Sequence, residues 1–186
     1  MKLENMNSIH IKDQIRSLVS VIARYTENYL SSETGVEIKK RDYKVDDVKS
    51  LDLLPITSLV SVGGHINLFI AFSFDEPLLD HLMEAMTEDL EVDDDEHDLY
   101  IKETACEVVN TIVGNSTADL AEKGTIIPLS PPVVILGAKT VAGNADAKFF
   151  TVGLESRFGR LEIDLVGPTE LFDDHLNFIG TGENNE

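Results

Sequence analysis

The chain has 186 residues, 42% hydrophobic and 26% charged, with 34 acidic against 15 basic side chains and a formal net charge of −19. That length buries a real core, while so acidic a surface repels phosphate backbones and anionic bilayers, so neither nucleic acid nor membrane insertion is expected. A single cysteine, Cys106, excludes an internal disulfide framework; with an opening stretch of mixed polarity, MKLENMNSIHIKD, it leads us to expect a cytoplasmic protein.

In chain order, residues 8–31 place Ile15, Leu18, Val19, Ile22 and Tyr25 at spacings of three and four, the pattern of an amphipathic helix. GVEIKKRDYKV (35–45) alternates loosely, as a strand does. ITSLVSVGGHINLFIAFSF (56–74) holds two β-rich runs around Gly63-Gly64 and predicts a hairpin. Asp75 stands as N-cap before EPLLDHLMEAM, with Pro77 in the first turn. EDLEVDDDEHD is a solvated acidic connection with residues 91–96 at its centre; as a Ca2+ site it lacks an ordered ligand loop. A long helix spans about His97 to Lys123, capped by Gly124. IIPLSPP (126–132) breaks regular structure, because proline offers no N–H. VVILGAKTV (133–141) predicts one strand, and AKFFTVGLESRFGRLEIDLVG (147–167) predicts two around a turn near Gly159. PTELFDDHLNFI (168–179) predicts a short helix, and residues 180–186 a frayed tail.

The order is helix, three strands, helix, stated twice. LLDHL (Leu78 to Leu82) returns as FDDHL (Phe172 to Leu176), with His81 and His175 94 residues apart. The same shift carries the first long helix onto the second. A duplicated unit within one domain, residues 1–186, is expected, with repeats at about 8–90 and 97–180.

The second long helix is two-faced. At 100° per residue, Glu107, Asn110, Gly114, Thr117 and Ala121 all fall within about 40° of Glu103. Ile101, Ala105, Val108, Val109, Ile112 and Val113 line the opposite side and are expected to be buried. Asn110 in a helix interior and Gly114 after it are both unfavourable choices, glycine by about 1 kcal/mol against alanine. A glycine there lets a partner backbone come close. Acids three or four apart on a helix are common, and the bland reading is a solvated face. Asn115 and Asp119 project onto the apolar side, which implies a helix bend or a buried polar group to satisfy. Cys106 is expected to be a small core residue.

Glu107-x-x-Asn110, followed after twenty-one residues by Pro132, resembles the CheC/CheX/FliY chemotaxis phosphatases, whose pattern is Asp or Ser, three residues, Glu, two residues, Asn, twenty-one residues, Pro. NTIVGN (Asn110 to Asn115) and PPVVILG (Pro131 to Gly137) are similar to this family as well. Glu103 stands where the family has Asp or Ser. The fold implied is α/β (α+β): a pseudo-symmetric duplicated α-β-β-β-α unit, with two long helices packed on an antiparallel-rich sheet. The same shift of 94 sets Asp13 under Glu107 and Arg16 under Asn110. A guanidinium has no acceptor, so the first helix is expected to be catalytically silent. One site per chain is similar to CheX, which implies a homodimer.

The resemblance implies a phosphorylated response-regulator receiver domain as partner and hydrolysis of its aspartyl phosphate. Asn110 would orient the attacking water and Glu107 would pair with the receiver's active-site lysine. Glu103, Gly114 and Thr117 would belong to the partner surface, and Asn115 and Pro132 to the structural part of the motif. No metal or cofactor of the chain's own is expected, since the receiver supplies Mg2+. Two other readings stay open: a non-catalytic receiver-binding module, favoured by Glu103, and a dimeric scaffold paired through sheet edges.

Overall fold

The computed structural model describes residues 2–46, 50–63, 68–90, 92–137, 140–142 and 147–168, with 2–12, 45 and 46 described by backbone alone. The helix expected at 168–179, the tail, Gly64 and His175 lie outside the described residues. Three helices are seen: α1 (Lys2–Glu33), α2 (Glu76–Met86) and α3 (His97–Glu122). The strands are β1 (Ile38–Asp46), β2 (Ser50–Asp52), β3 (Ile56–Val62), β4 (Leu68–Phe74), β5 (Val133–Leu136), β6 (Thr140–Ala142), β7 (Ala147–Ser156) and β8 (Arg160–Pro168). Six form one antiparallel sheet in the order β1-β7-β8-β4-β3-β5, and β2 pairs with β6 in a separate ribbon.

One face of the large sheet, carrying Val60, Ile70, Phe72, Phe150, Val152 and Ile163, packs under the helices. Ile15, Leu18 and Ile22 of α1, Leu79 and Leu82 of α2, and Val108, Val109 and Ile112 of α3 complete that core. Strand residues alternate between the two faces, and β4 and β7 are buried on both, from Ile70 to Phe74 and from Phe149 to Leu154. Among the described residues no helix is long and apolar enough to cross a membrane.

The duplication is built into the pairing. At the sheet centre Ile70 faces Leu165 and Ala71 faces Asp164. A shift of 94, the separation of His81 and His175, would carry Ile70 onto Asp164, which lies on the opposite face of the sheet, so the shift read from the sequence does not hold through these two strands. Hairpins β3–β4 and β7–β8 flank the β4–β8 contact, and the outer strand of each half pairs within the other: β1 pairs with β7, and β5 with β3. Each repeat carries one strand more than expected, because β2 and β6 are three residues long and too short to show a period. VVILGAKTV is also not one strand. Gly137 adopts φ 72° and ends β5, and the chain resumes as β6 in the other sheet.

Local chemistry sets the joints. Gly124, at φ 82°, caps α3 as expected: its N–H reaches Ala121 O at 3.0 Å and the Thr125 N–H reaches Leu120 O at 2.8 Å. Asp75 occupies the N-cap position of α2 but makes no capping bond with its side chain. Its Oδ2 instead accepts the Arg160 N–H at 2.8 Å, while its own N–H donates to Arg160 O at 2.9 Å. The competing partner wins because Gly159, at φ 137°, brings the β7–β8 turn so close that a Cβ there would lie 2.8 Å from Asp75 Cβ. The Arg160 guanidinium then ties β8 to β1 through both Asp42 oxygens at 2.8 and 2.9 Å, and also binds Glu162 at 2.6 Å and Glu155 at 3.2 Å. Those bonds raise its pKa further and hold the Asp42 carboxyl below its usual range.

Asp164 lies on the reverse face of β8, paired with Ala71 and Thr151, and is fully buried. Its Oδ1 accepts the Thr151 hydroxyl at 2.6 Å and its Oδ2 has no partner. Burial pushes this carboxyl up to about 7, against the opposing pull of the Thr151 hydrogen bond, with Glu162 adding to the rise and Arg160 and Lys44 opposing it. The folded chain therefore keeps a proton that the unfolded chain releases near 3.8. Stability should fall as pH rises from about 4 to about 7, by a few kcal/mol in order of magnitude. Asp164→Asn should flatten that part of the profile; urea midpoints at pH 5 and pH 8 with the same drop in both proteins would refute the assignment.

Candidate functional site

α3 forms where an apolar stripe with helical spacing meets the sheet and α1, and it runs unbroken from His97 to Glu122. Ile101, Ala105, Val108, Val109, Ile112 and Val113 are all buried, as their spacing predicts. Glu103, Glu107, Asn110, Gly114 and Ala121 are exposed along the opposite stripe. The structure thus brings the two acids, the carboxamide and the glycine onto one solvent-facing line.

Among the described residues the Asn110 side chain has no hydrogen-bond partner, and neither does that of Glu103. Glu107 receives only a long contact, 3.5 Å, from the Thr111 hydroxyl. Three polar groups are left with their hydrogen-bonding capacity facing outward. Thr117 is different: its hydroxyl is turned onto its own helix, 2.9 Å from Val113 O and 3.0 Å from Gly114 O. At Gly114 a Cβ would meet nothing within 4 Å. The fold itself has no steric need for glycine there.

Asn115 and Asp119 require neither a bend nor a buried polar partner. Their flank of α3 abuts α1 rather than the sheet. Asp119 accepts from Arg24 of α1 at 2.6 Å and from Lys123 at 2.9 Å, which lowers its pKa, the Lys123 hydrogen bond most of all. Asn115 is exposed and lines a cleft between the two helices. Cys106 is half-exposed rather than a core residue. It sits at the edge of the outward stripe, and burial together with Glu103 and Glu107 raises its thiol pKa.

Pro132 shapes the sheet edge beside α3. Residues 128–130 pair with the end of β3, with Gly63 N–H to Pro128 O at 2.7 Å and Ser130 N–H to Ser61 O at 2.9 Å. Pro131 and Pro132 then interrupt the ladder before β5 resumes it opposite residues 56–59. On α1, the residues equivalent to Glu107 and Asn110 pair with each other: Arg16 Nη1 lies 3.4 Å from Asp13 Oδ1. Among the described residues no group of three His, Cys, Asp or Glu side chains is placed to hold a metal. Sequence reasoning missed the contribution of α1 to the neighbourhood of the site. The signal available was the polar run at Asn28, Ser32 and Glu33 near the end of α1.

The family model for the chemotaxis phosphatase CheX matches residues 56–155, more than half of the chain, and that span contains Glu103, Glu107, Asn110 and Pro132. No curated protein sequence matches. Among solved structures, a chemotaxis protein CheX from Desulfovibrio desulfuricans is 21% identical, with a TM-score of 0.67 over 80% of this chain and 97% of that one. A CheX–CheY–BeF3–Mg2+ complex from Borrelia burgdorferi is 18% identical, with a TM-score of 0.59 over 80% and 96%. FliY from Thermotoga maritima is 15% identical, with a TM-score of 0.51 over 94% and 98%. At these identities the likeness is one of fold.

Because Gly114 has open space around it, Gly114→Ala should stabilise the isolated protein by about 1 kcal/mol through helix propensity alone. A chemical denaturation curve shifted to lower midpoint would contradict the open geometry.

Proposed function

The chain belongs to the family of chemotaxis phosphatase CheX, and we propose that it docks on a phosphorylated response-regulator receiver domain and hydrolyses its aspartyl phosphate. The observation that carries this reading is Asn110: a carboxamide in mid-helix, exposed, with no hydrogen bond to its own scaffold. Phosphoryl transfer asks chiefly for positioning and charge stabilisation. The Asn110 carbonyl oxygen accepts a hydrogen bond from the attacking water, while its NH2 donates to a neighbouring oxygen. Water held in line gains rate by orientation, with no base of shifted pKa required. Glu107, one helical turn earlier, pairs with a lysine of the receiver and fixes the register. Glu103 extends that acidic line, and Gly114 leaves room for the partner's backbone.

The Borrelia burgdorferi complex holds CheX, CheY, BeF3 and Mg2+ together. On that pattern the receiver brings both metal and phosphate here, and α3 supplies the carboxamide and the carboxylate. Arg16, paired with Asp13, leaves α1 without an equivalent, so each chain has one site. Homodimerisation, which the family likeness implies, has Val133, Ile135 and Leu136 exposed along β5 to draw on. The alternative, a receiver-binding module without hydrolysis, is favoured by Glu103 alone, which is longer by a methylene than the family's Asp.

Decay of a radiolabelled phospho-receiver separates the two. Asn110→Ala should lower stimulated dephosphorylation by about 100-fold or more while leaving the thermal transition in place. An undiminished rate would reject the assignment. Glu107→Ala should weaken binding and rate together, each by about tenfold, and a rate loss at full affinity would contradict its docking role. Gly114→Ala, though stabilising, should weaken docking.

A further inference from the structure

We propose that the cleft between α1 and α3 beside Asn110 seats a lysine or arginine side chain of the docked receiver, held by the Glu33 carboxylate and the Asn28 and Asn115 carboxamides. This rests on the receiver-docking reading above and adds the place where the partner is recognised.

The cleft has a volume of about 420 Å³, with Asn28, Tyr29, Ser32 and Glu33 on the α1 side and Thr111 and Asn115 on the α3 side. Its α3 wall begins at Thr111, which follows Asn110 in the chain and whose hydroxyl faces Glu107. A receiver docked over Asn110 and Glu107 would reach this opening across Thr111.

Its chemistry suits a cation. Glu33 and Glu107 have no basic partner, and Asn28 and Asn115 make no side-chain hydrogen bonds within the protein. Tyr29 points its hydroxyl at Met86 Sδ, 3.6 Å away, which leaves the phenolic oxygen free to accept. The Tyr29 phenol, at the floor of the cleft, has its pKa raised first by burial and then by Glu107 and Glu33, so both carboxylates act on the same space. None of the lining residues is basic. Arg24 of α1 is already held by Asp119 at 2.6 Å and lies 5.0 Å over the ring of Tyr25, which also lines the cleft. A Lys or Arg brings several donors and no acceptor, and finds here a carboxylate, amide oxygens and hydroxyls, with aromatic faces beside them.

Glu33 is also oddly placed for stability. It is the last residue of α1, whose final turn contains no basic side chain. The carbonyl end of a helix favours cations, so a carboxylate there acts against the dipole. A solvated groove between helices would be served as well by Gln or Lys at this position, and more stably.

The test uses the receiver whose dephosphorylation the wild-type chain accelerates most among a set labelled with radioactive acetyl phosphate. Binding is measured in parallel to the same receiver activated with BeF3−. Glu33→Gln should raise KM and Kd by about fivefold and Glu33→Arg by about 20-fold or more, with kcat held within about twofold. Glu122→Arg, an exposed reversal at the other end of α3, controls for net charge and should change Kd much less. Reversing one surface lysine or arginine of the receiver should restore binding to Glu33→Arg. Stimulated hydrolysis with KM and Kd unmoved by Glu33→Arg, or moved equally by Glu122→Arg, overturns the cleft proposal and leaves the Asn110 site standing. If the wild-type chain neither binds nor dephosphorylates any receiver, the docking reading fails and the cleft proposal falls with it.

Discussion

Antiparallel contact between β4 and β8 is the constraint on which the molecule depends. Both strands are central, both are buried on the helix-facing side, and pairs such as Ile70–Leu165 join one hairpin to the other. Given that contact, the two hairpins lie on either side of it, and the long helices lie together on one face. α1 and α3 therefore run against each other, with Arg24 meeting Asp119. A helix confined on two sides, by sheet and by neighbour, has a single direction left in which to show side chains to solvent. That direction is where Glu103, Glu107 and Asn110 stand.

The two halves have diverged under the same backbone. On the reverse face β4 presents Ala71 opposite the buried Asp164 of β8, which Thr151 holds. The long helices differ in chemistry: α3 shows an exposed carboxamide, whereas α1 has an arginine paired with its own aspartate. Likeness of backbone thus coexists with difference in the outward helix faces, since the backbone hydrogen bonds that set the fold do not depend on what those faces carry.

Much of this was legible in the residues. The apolar spacing of α1 and α3, the hairpins, the cap at Gly124 and the outward line from Glu103 to Gly114 all follow from local periodicity and steric preference. What was not legible involved partners far apart in sequence. Asp75 reads as a capping residue, yet Arg160, 85 positions later, takes its carboxylate. Asp119 and Asn115 seemed misplaced on an apolar arc because a helical projection cannot show that a second helix, rather than the sheet, covers that flank. β2 and β6 carry too few residues for alternation to register. The cleft beside Asn110 exists only when α1 and α3 are brought together, so neither helix announces it alone.

The one thiol of the chain sits on α3 immediately before Glu107, half open to solvent. Partial burial, with carboxylates on either side, keeps it protonated at neutral pH, so it resists adventitious oxidation and disulfide exchange. The same position makes it a natural attachment point. A fluorophore joined there under alkaline conditions reports from the edge of the exposed line of Glu103, Glu107 and Asn110, with no second sulfhydryl in the sequence to confuse the signal.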